Sequence, residues 1–423
     1  MAASVVVMLP LTTYYLSVEE IGLFTFLTLI ATMVMTPLNT AANLIINAYY
    51  FSSTNFQRKK LFFHLYLYEL LLKLFVFCGL LLFGSFFLKL VINEYKNDYY
   101  LLLSILAFGL IFSATRPIFY HFLTVRKESK HFFWFNVLEI MLLIISTAFF
   151  LSYMEMGLFG YAYATLTSSF VMFLIDINTI RKYWKWGYSK QYALLIYKKG
   201  IRLFYANIIE TFVNFYDSFV VQKALNFYQL GIYSHAKQYV TKFGALDKAF
   251  FQAYSVSYMK MLRGEESPNI FKITLFWYSF LLFTGIMIIY FGEATVSLLT
   301  HDKMTESAKY IAFFYILVFF RSNQQQYSYQ ILYNKENGVF TFLSTSANIL
   351  SFIILFMGVF VYNFGINFIV FGFVLNVILK NTFIKFYAIY KYKNVDISEN
   401  IFLIFLILYL IIFFKEFSFN VLY

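Results

Sequence analysis

Residues 157–199 read GLFGYAYATLTSSFVMFLIDINTIRKYWKWGYSKQYALLIYKK. The first part is almost wholly apolar and, at about 1.5 Å per helical residue, is long enough to cross about 30 Å of hydrocarbon. The second part carries Arg181, Lys182, Lys185, Lys190, Lys198 and Lys199. An apolar crossing followed by a basic loop is therefore the unit in which the chain is read.

Working outward, further stretches of the same kind cover residues 1–16, 21–48, 61–91, 99–124 and 132–153 before it, and 200–225, 230–259, 270–291, 307–332, 338–362 and 366–390 after it. This is a nearly continuous series of twelve spans joined by short loops. A thirteenth segment, 401–414, is short for a full crossing; it spans with tilt or lies shallow. The first segment lacks the basic start and small-residue cleavage site of a signal peptide, so it reads as the tail of a helix whose beginning is missing, or as a short, tilted one.

Composition agrees. Of 423 residues 61% are hydrophobic and only 13% charged, with mean hydropathy +0.69, which excludes a set of soluble domains as well as collagen-like and disordered classes. The lone cysteine, Cys78, rules out an intramolecular disulfide and leaves zinc–cysteine and Cys/His sites without ligands; inside an apolar run it reads as a small packed hydrophobe.

The formal charge of +12 raises a nucleic-acid surface as an explanation, but its distribution removes it. Even-numbered loops hold Arg58, Lys59 and Lys60, then Arg126, Lys127 and Lys130, the six cations quoted above, Lys260 and Arg263, and Lys335, with Lys391 and Lys393 after span twelve. Odd-numbered loops hold only Lys96 and Lys303 against Glu19, Glu20, Glu94, Asp98, Glu155 and Asp302. By the positive-inside rule the even loops and the amino terminus are cytoplasmic.

Ionisable groups at bilayer depth cost about 2.5–3.5 kcal/mol each on insertion scales, so they face a bundle interior or a wet cavity. In span seven Asn207, Glu210, Asn214 and Asp217 recur at three, four and three residues, forming one helical stripe. Span two repeats the pattern with Asn39 and Asn43 behind Pro37, for which interhelical hydrogen bonding is the plain alternative. Span eight holds Lys242, Asp247 and Lys248, span five Glu139, span four Arg116-Pro117, and span ten Arg321. Arginine stays charged when desolvated and matches phosphate oxygens in two-point geometry, so Arg116 and Arg321, with Lys242 and Lys248, are the candidate ligands of a phosphorylated substrate. Glu139, Glu210 and Asp217 are the ion-coupling candidates, and Asn39, Asn43, Asn207 and Asn214 the polar cavity lining. Lys73, Lys89, Lys272, Lys380 and Lys385 read as snorkelling residues near span ends. No nucleotide-binding motif, metal cluster or long loop for a catalytic domain occurs, so the expectation is no cofactor, no metal and no enzymatic activity.

Tyr15-Leu16-Ser17-Val18-Glu19-Glu20-Ile21-Gly22-Leu23 resembles the first loop of bacterial polysaccharide-biosynthesis membrane proteins, with Val18 where that family has proline. Tyr216-Asp217-Ser218-Phe219, followed by Leu230-Gly231-Ile232-Tyr233-Ser234-His235-Ala236, is similar to the same family's helices seven and eight. Glu20-Ile21-Gly22-Leu23 also echoes Gln229-Leu230-Gly231-Ile232, the footprint of an internal repeat. The resemblance implies the multidrug/oligosaccharidyl-lipid/polysaccharide exporter superfamily and, within it, a Wzx-type flippase. Its implied architecture is an all-α, polytopic transmembrane bundle of about 12 to 13 helices in a V. Residues 1–180 form one six-helix lobe, 181–199 a basic cytoplasmic connector, 200–390 a second six-helix lobe and 391–423 an extra apolar segment and tail. The implied substrate is undecaprenyl-pyrophosphate-linked oligosaccharide, an O-antigen, lipopolysaccharide or capsule repeat unit, moved across the bacterial inner membrane by alternating access. Partners are then membrane lipids, H+ or Na+, and a polysaccharide polymerase, with no nucleic acid. The alternatives are a drug or cation exporter of the same superfamily, for which acidic rather than cationic lining is expected, and a membrane polymerase or ligase.

Overall fold

A computed structural model describes residues 2–35, 46, 54–92, 94–113, 116–126, 128–262, 270–334, 336–392 and 398–416; within them the side chains of residues 2–6, 124–125, 199–210, 213–214, 248, 252–262 and 332–333, and some positions elsewhere, are not described. Among the described residues fourteen α-helices follow one another and there is no strand. They are α1 (Ala2–Tyr15), α2 (Val18–Met35), α3 (Asn55–Val91), α4 (Asn97–Phe112), α5 (Arg116–Val125), α6 (Ser129–Ala148), α7 (Gly157–Ile180), α8 (Lys190–Ala224), α9 (Phe227–Leu262), α10 (Ile270–Thr300), α11 (Ser307–Tyr333), α12 (Asn337–Phe356), α13 (Ile366–Tyr392) and α14 (Ser398–Glu416). The chain is the all-α, multi-pass membrane protein that its hydropathy predicts. Among the described residues eight stretches, on α2, α3, α4–α5, α6, α7, α10, α12 and α13, are long and apolar enough to cross a bilayer. Helices α8, α9 and α11 fall outside that group because they carry the polar and charged positions, which lipid would not tolerate unshielded.

The helices form two compact units, Met1–Phe219 and Val220–Tyr423. In the first, α4 packs on α2, α3 and α7, α6 packs on α7, and α1 packs on α6. In the second, α11 is central, touching α9, α10, α12, α13 and α14. Its buried face includes Phe314, Tyr315, Leu317, Val318 and Phe319.

Four boundaries differ from the hydropathy reading, each for a local reason. Helix α3 starts at Asn55 because Thr54 and Gln57 form a capping box, each taking the other's backbone N–H (3.4 and 2.9 Å), and the basic run is thereby drawn into the helix. Span four is two helices: α4 ends at Phe112 and α5 opens on Arg116-Pro117, where a residue without an N–H is tolerated only in a first turn. The basic stretch 181–199 is helical from Lys190. The last segment is a 19-residue helix, about 28 Å long, rather than a short one. It is held by Tyr409, whose hydroxyl donates to the Ala312 carbonyl at 2.6 Å and whose ring fills the space left by Gly285. Cys78 is exposed on α3 instead of packed.

A repeat shows in the backbone. Helices α6 and α12 both run into a five-residue π turn, Phe149–Tyr153 and Met357–Val361. Both turns are followed by a left-handed residue, Glu155 (φ 50°) and Asn363 (φ 55°), which lie 208 residues apart.

Candidate functional site

Each unit sets a mostly covered arginine among polar groups. In unit 1, Pro117 fixes the start of α5 and so places Arg116 at a helix end facing α6 and α7. Its Nη1 donates to Glu139 Oε1, and Tyr120, one turn along α5, donates its hydroxyl to Glu139 Oε2 at 3.0 Å. Both oxygens of Glu139 are thus held by α5. Arg116 Nε lies 3.9 Å from Asp176 Oδ2 on α7, a carboxylate with 0% exposure. Nε and Nη2 of Arg116 are buried with no hydrogen-bond partner among the described residues, as are both oxygens of Asp176.

The polar cluster continues onto α3. Tyr66 lies within electrostatic reach of Asp176 and of Glu69, and Glu69 faces Lys73 one turn away. All three side chains are buried. The sequence reading of Lys73 as a snorkelling residue is therefore corrected: it sits mid-helix in α3 at 2% exposure beside a carboxylate. Counting Arg116 and Lys73 against Glu139, Asp176 and Glu69, this cluster holds more acids than bases. Within this cluster the balance is opposite to the deep-cation excess that the sequence suggests for the spans taken together.

In unit 2, Asp247 on α9 accepts hydrogen bonds from Ser322 Oγ on α11 and from Trp277 Nε1 on α10 at 3.2 Å. Trp277 is clamped by stacking on Phe250, with centroids 4.0 Å apart and planes 7° from parallel. Arg321, next to Ser322, lies across α9 at Gly244: a Cβ there would stand 3.0 Å from its Nη1. The charge of Asp247 reaches the same guanidinium. Lys242 shares α9 and is half-buried, whereas the side chain of Lys248 is not described.

Asp217 is buried on α8 and accepts the Ser218 backbone N–H at 2.9 Å. Helix α8 is continuous through Asn207, Glu210 and Asn214, but their side chains lie outside the described residues, and Asn39 and Asn43 lie outside them altogether. Thus the structure brings Arg116 and Glu139 together, two residues the sequence assigned to separate tasks, and gives Arg321 the company of Asp247. Sequence reasoning missed Asp176, Tyr120, Tyr66 and Glu69. A signal existed for Asp176, the lone acid of span six, and for Glu69 and Lys73 at i,i+4 in span three. None existed for the two tyrosines among 37. Among the described residues no three His, Cys, Asp or Glu side chains converge as a metal site.

Solved structures with the same fold are membrane transporters. A lipid II flippase MurJ in an inward closed conformation superposes with TM-score 0.70 at 16% identity, covering 99% of this chain and 92% of that one. An inward-facing multidrug resistance MATE transporter of the MOP superfamily gives 0.60 at 14% identity, over 98% and 96%. A MOP superfamily transporter from Pyrococcus furiosus gives 0.58 at 14%, over 91% and 93%. At these identities the likeness is one of fold. No curated protein matches in sequence. The profile of the polysaccharide biosynthesis protein family matches residues 16–257, more than half of the chain, and this chain belongs to that family.

Proposed function

We propose that this protein is a flippase that moves a polyprenyl-pyrophosphate-linked oligosaccharide, such as the undecaprenyl-linked repeat unit of an O-antigen or capsule, from the inner to the outer leaflet of the bacterial inner membrane. The observation that carries this reading is the guanidinium of Arg116, whose Nε and Nη2 are buried and hydrogen-bonded to no described residue, Nε having only the Asp176 carboxylate at 3.9 Å. Such a group presents fixed donors to phosphate oxygens, and Glu139 and Tyr120 hold it in place. Arg321, laid across Gly244, presents a second guanidinium, with Lys242 and Lys248 on the same helix as Gly244. Asn39, Asn43, Asn207 and Asn214 would line the sugar path. Family membership and the flippase fold support the substrate class; alternating access between a six-helix lobe of residues 1–180 and one of 200–390, joined by a cytoplasmic connector, would supply the step. Glu139, Glu210 and Asp217 would couple it to H+ or Na+ entry, and a polysaccharide polymerase would take the product.

A charged hydrogen bond contributes about 1.5–3 kcal/mol. Transfer of a fluorescent pyrophosphate-linked oligosaccharide in proteoliposomes should therefore fall roughly tenfold or more in Arg321→Ala and recover in part in Arg321→Lys. Unchanged transfer in both Arg116→Ala and Arg321→Ala at equal reconstitution would remove the reading.

The acid excess of the Arg116 cluster favours a second reading, export of an organic cation. It predicts efflux of a lipophilic cation that Asp176→Asn abolishes, with no transfer of the lipid-linked sugar.

A further inference from the structure

The nine lysines and arginines of residues 54–60 and 181–199 stand without one aspartate or glutamate among them, against a net charge of +12 for the whole chain. The fold of unit 1 brings these two stretches together. Residues 181–189, between α7 and α8, turn back onto the start of α3. The Lys185 backbone N–H donates to the Lys59 carbonyl at 3.4 Å. The Ser189 backbone N–H donates to His64 Nε2 at 2.8 Å, while His64 Nδ1 donates to the Lys60 carbonyl at 2.7 Å. His64 is buried, and Trp184 packs edge-on against Phe63 and Tyr66. The strap is therefore built, not loose.

Its consequence is a convergence of charge. Lys60 Nζ lies 4.9 Å and Lys185 Nζ 4.0 Å from the centroid of one ring, Phe56. Both are cation–π distances, and they leave the two ammonium groups at most about 9 Å apart, where like charges at a surface still repel. Beside them Trp186 and Tyr188 are 77% and 75% exposed. Wide exposure of amphipathic rings next to lysines is the pattern of a bilayer interface. With both ammonium groups brought to one side of the ring, the two free oxygens of a phosphodiester would meet one each, and the flanking rings suit the boundary between headgroup and acyl chain.

We propose that this strap end of unit 1 is a binding site for an anionic phospholipid headgroup, with the phosphate held between Lys60 and Lys185 over Phe56. Phe56, Lys60 and Lys185 are not members of the Arg116 cluster, which the strap meets only where Trp184 packs on Tyr66, and the proposal stands whether or not the flippase reading does.

The test is electron spin resonance of the full-length protein in nanodiscs, with spin-labelled phosphatidylglycerol against spin-labelled phosphatidylcholine as probes. Wild type should immobilise the anionic lipid in preference. In Lys60→Gln/Lys185→Gln that preference should drop about fivefold or more, given the usual contribution of a basic residue at an anionic surface. Lys190→Gln/Lys198→Gln, which removes equal charge next to the strap, should leave most of it. Phe56→Leu, which keeps the bulk and removes the ring, should lower it. An equal drop in the two double variants means diffuse positive charge and overturns the proposal, as does wild-type protein with no preference. Elution as a single species in detergent qualifies each variant for the comparison.

Discussion

Glu128 in unit 1 and Glu336 in unit 2 hold the same place, 208 residues apart, as the residues that precede α6 and α12, the two helices that run into π turns. Each donates its backbone N–H to a carbonyl five residues back (2.9 and 3.1 Å) and accepts an N–H from a phenylalanine four residues on (3.1 Å in both). The carboxylates then diverge. Glu128 stays local, meeting Arg126 at 2.7 Å and, in the first turn of the helix it precedes, His131 at 3.4 Å. Glu336 reaches α13, taking hydrogen bonds from Lys391, from Tyr387 at 2.7 Å and from Tyr392 at 3.0 Å. The arginines diverge in the same way. Arg116 sits at a proline-led helix start among acids from α6 and α7, while Arg321 sits inside an unbroken α11 whose neighbour Asp247 is already hydrogen-bonded by Ser322 and Trp277. A repeated backbone thus fixes where polar groups can be placed. What they pair with is decided separately in each copy.

The largest expected effect breaks that contrast at the arginines. Removing one partner of a buried ion pair costs about 3–5 kcal/mol; Arg116→Leu strands the fully buried Asp176, while Glu139 is 31% exposed and keeps Tyr120, so the unfolding free energy in detergent should fall by about 3 kcal/mol, the lower end of that range. Arg321→Leu should cost less than half as much, because Asp247 keeps two donors. Equal losses would show that the two clusters are energetically alike.

Next in size is the helix that unit 2 adds. A Cβ at Gly285 would stand 2.6 Å from the Tyr409 ring. Overpacking costs about 1–3 kcal/mol, so Gly285→Ala should destabilise unit 2 and expose α14 to protease. A variant as resistant as wild type would mean that the ring has room to move.

The smallest effect sharpens the comparison of the two glutamates. Glu336→Gln should lower the melting temperature by about 2 °C, and Glu128→Gln by less, since only Glu336 ties its loop to another helix. The hydrogen bonds from Lys391 and the tyrosines hold the Glu336 carboxyl below the usual glutamate range. Its contribution is complete above that range and fades as pH falls through the depressed native value. The gap between Glu336→Gln and wild type should therefore close in acid and persist at neutral pH. A gap that widened in acid would put the sign wrong.

Membrane class, the order of spans, alternation of loop charge and the internal echo were all readable from the chain, because hydropathy and charge are local properties that add along a sequence. So was the oddity of Arg116, Glu139 and Arg321, each a charge in an apolar run. Tertiary structure decided what those charges meet. Glu139 lies 23 residues from Arg116 and Asp176 lies 60, and only the rotation of α6 and α7 against α5 brings both carboxylates to one guanidinium. It also decided that Lys73 is buried, since its partner and the helices that cover it come from packing rather than from distance to a span end. The last helix followed the same logic: its length came from the apolar run, but its seat depends on a missing side chain at Gly285 opposite the Tyr409 ring, a steric match between residues 124 apart that no periodicity encodes.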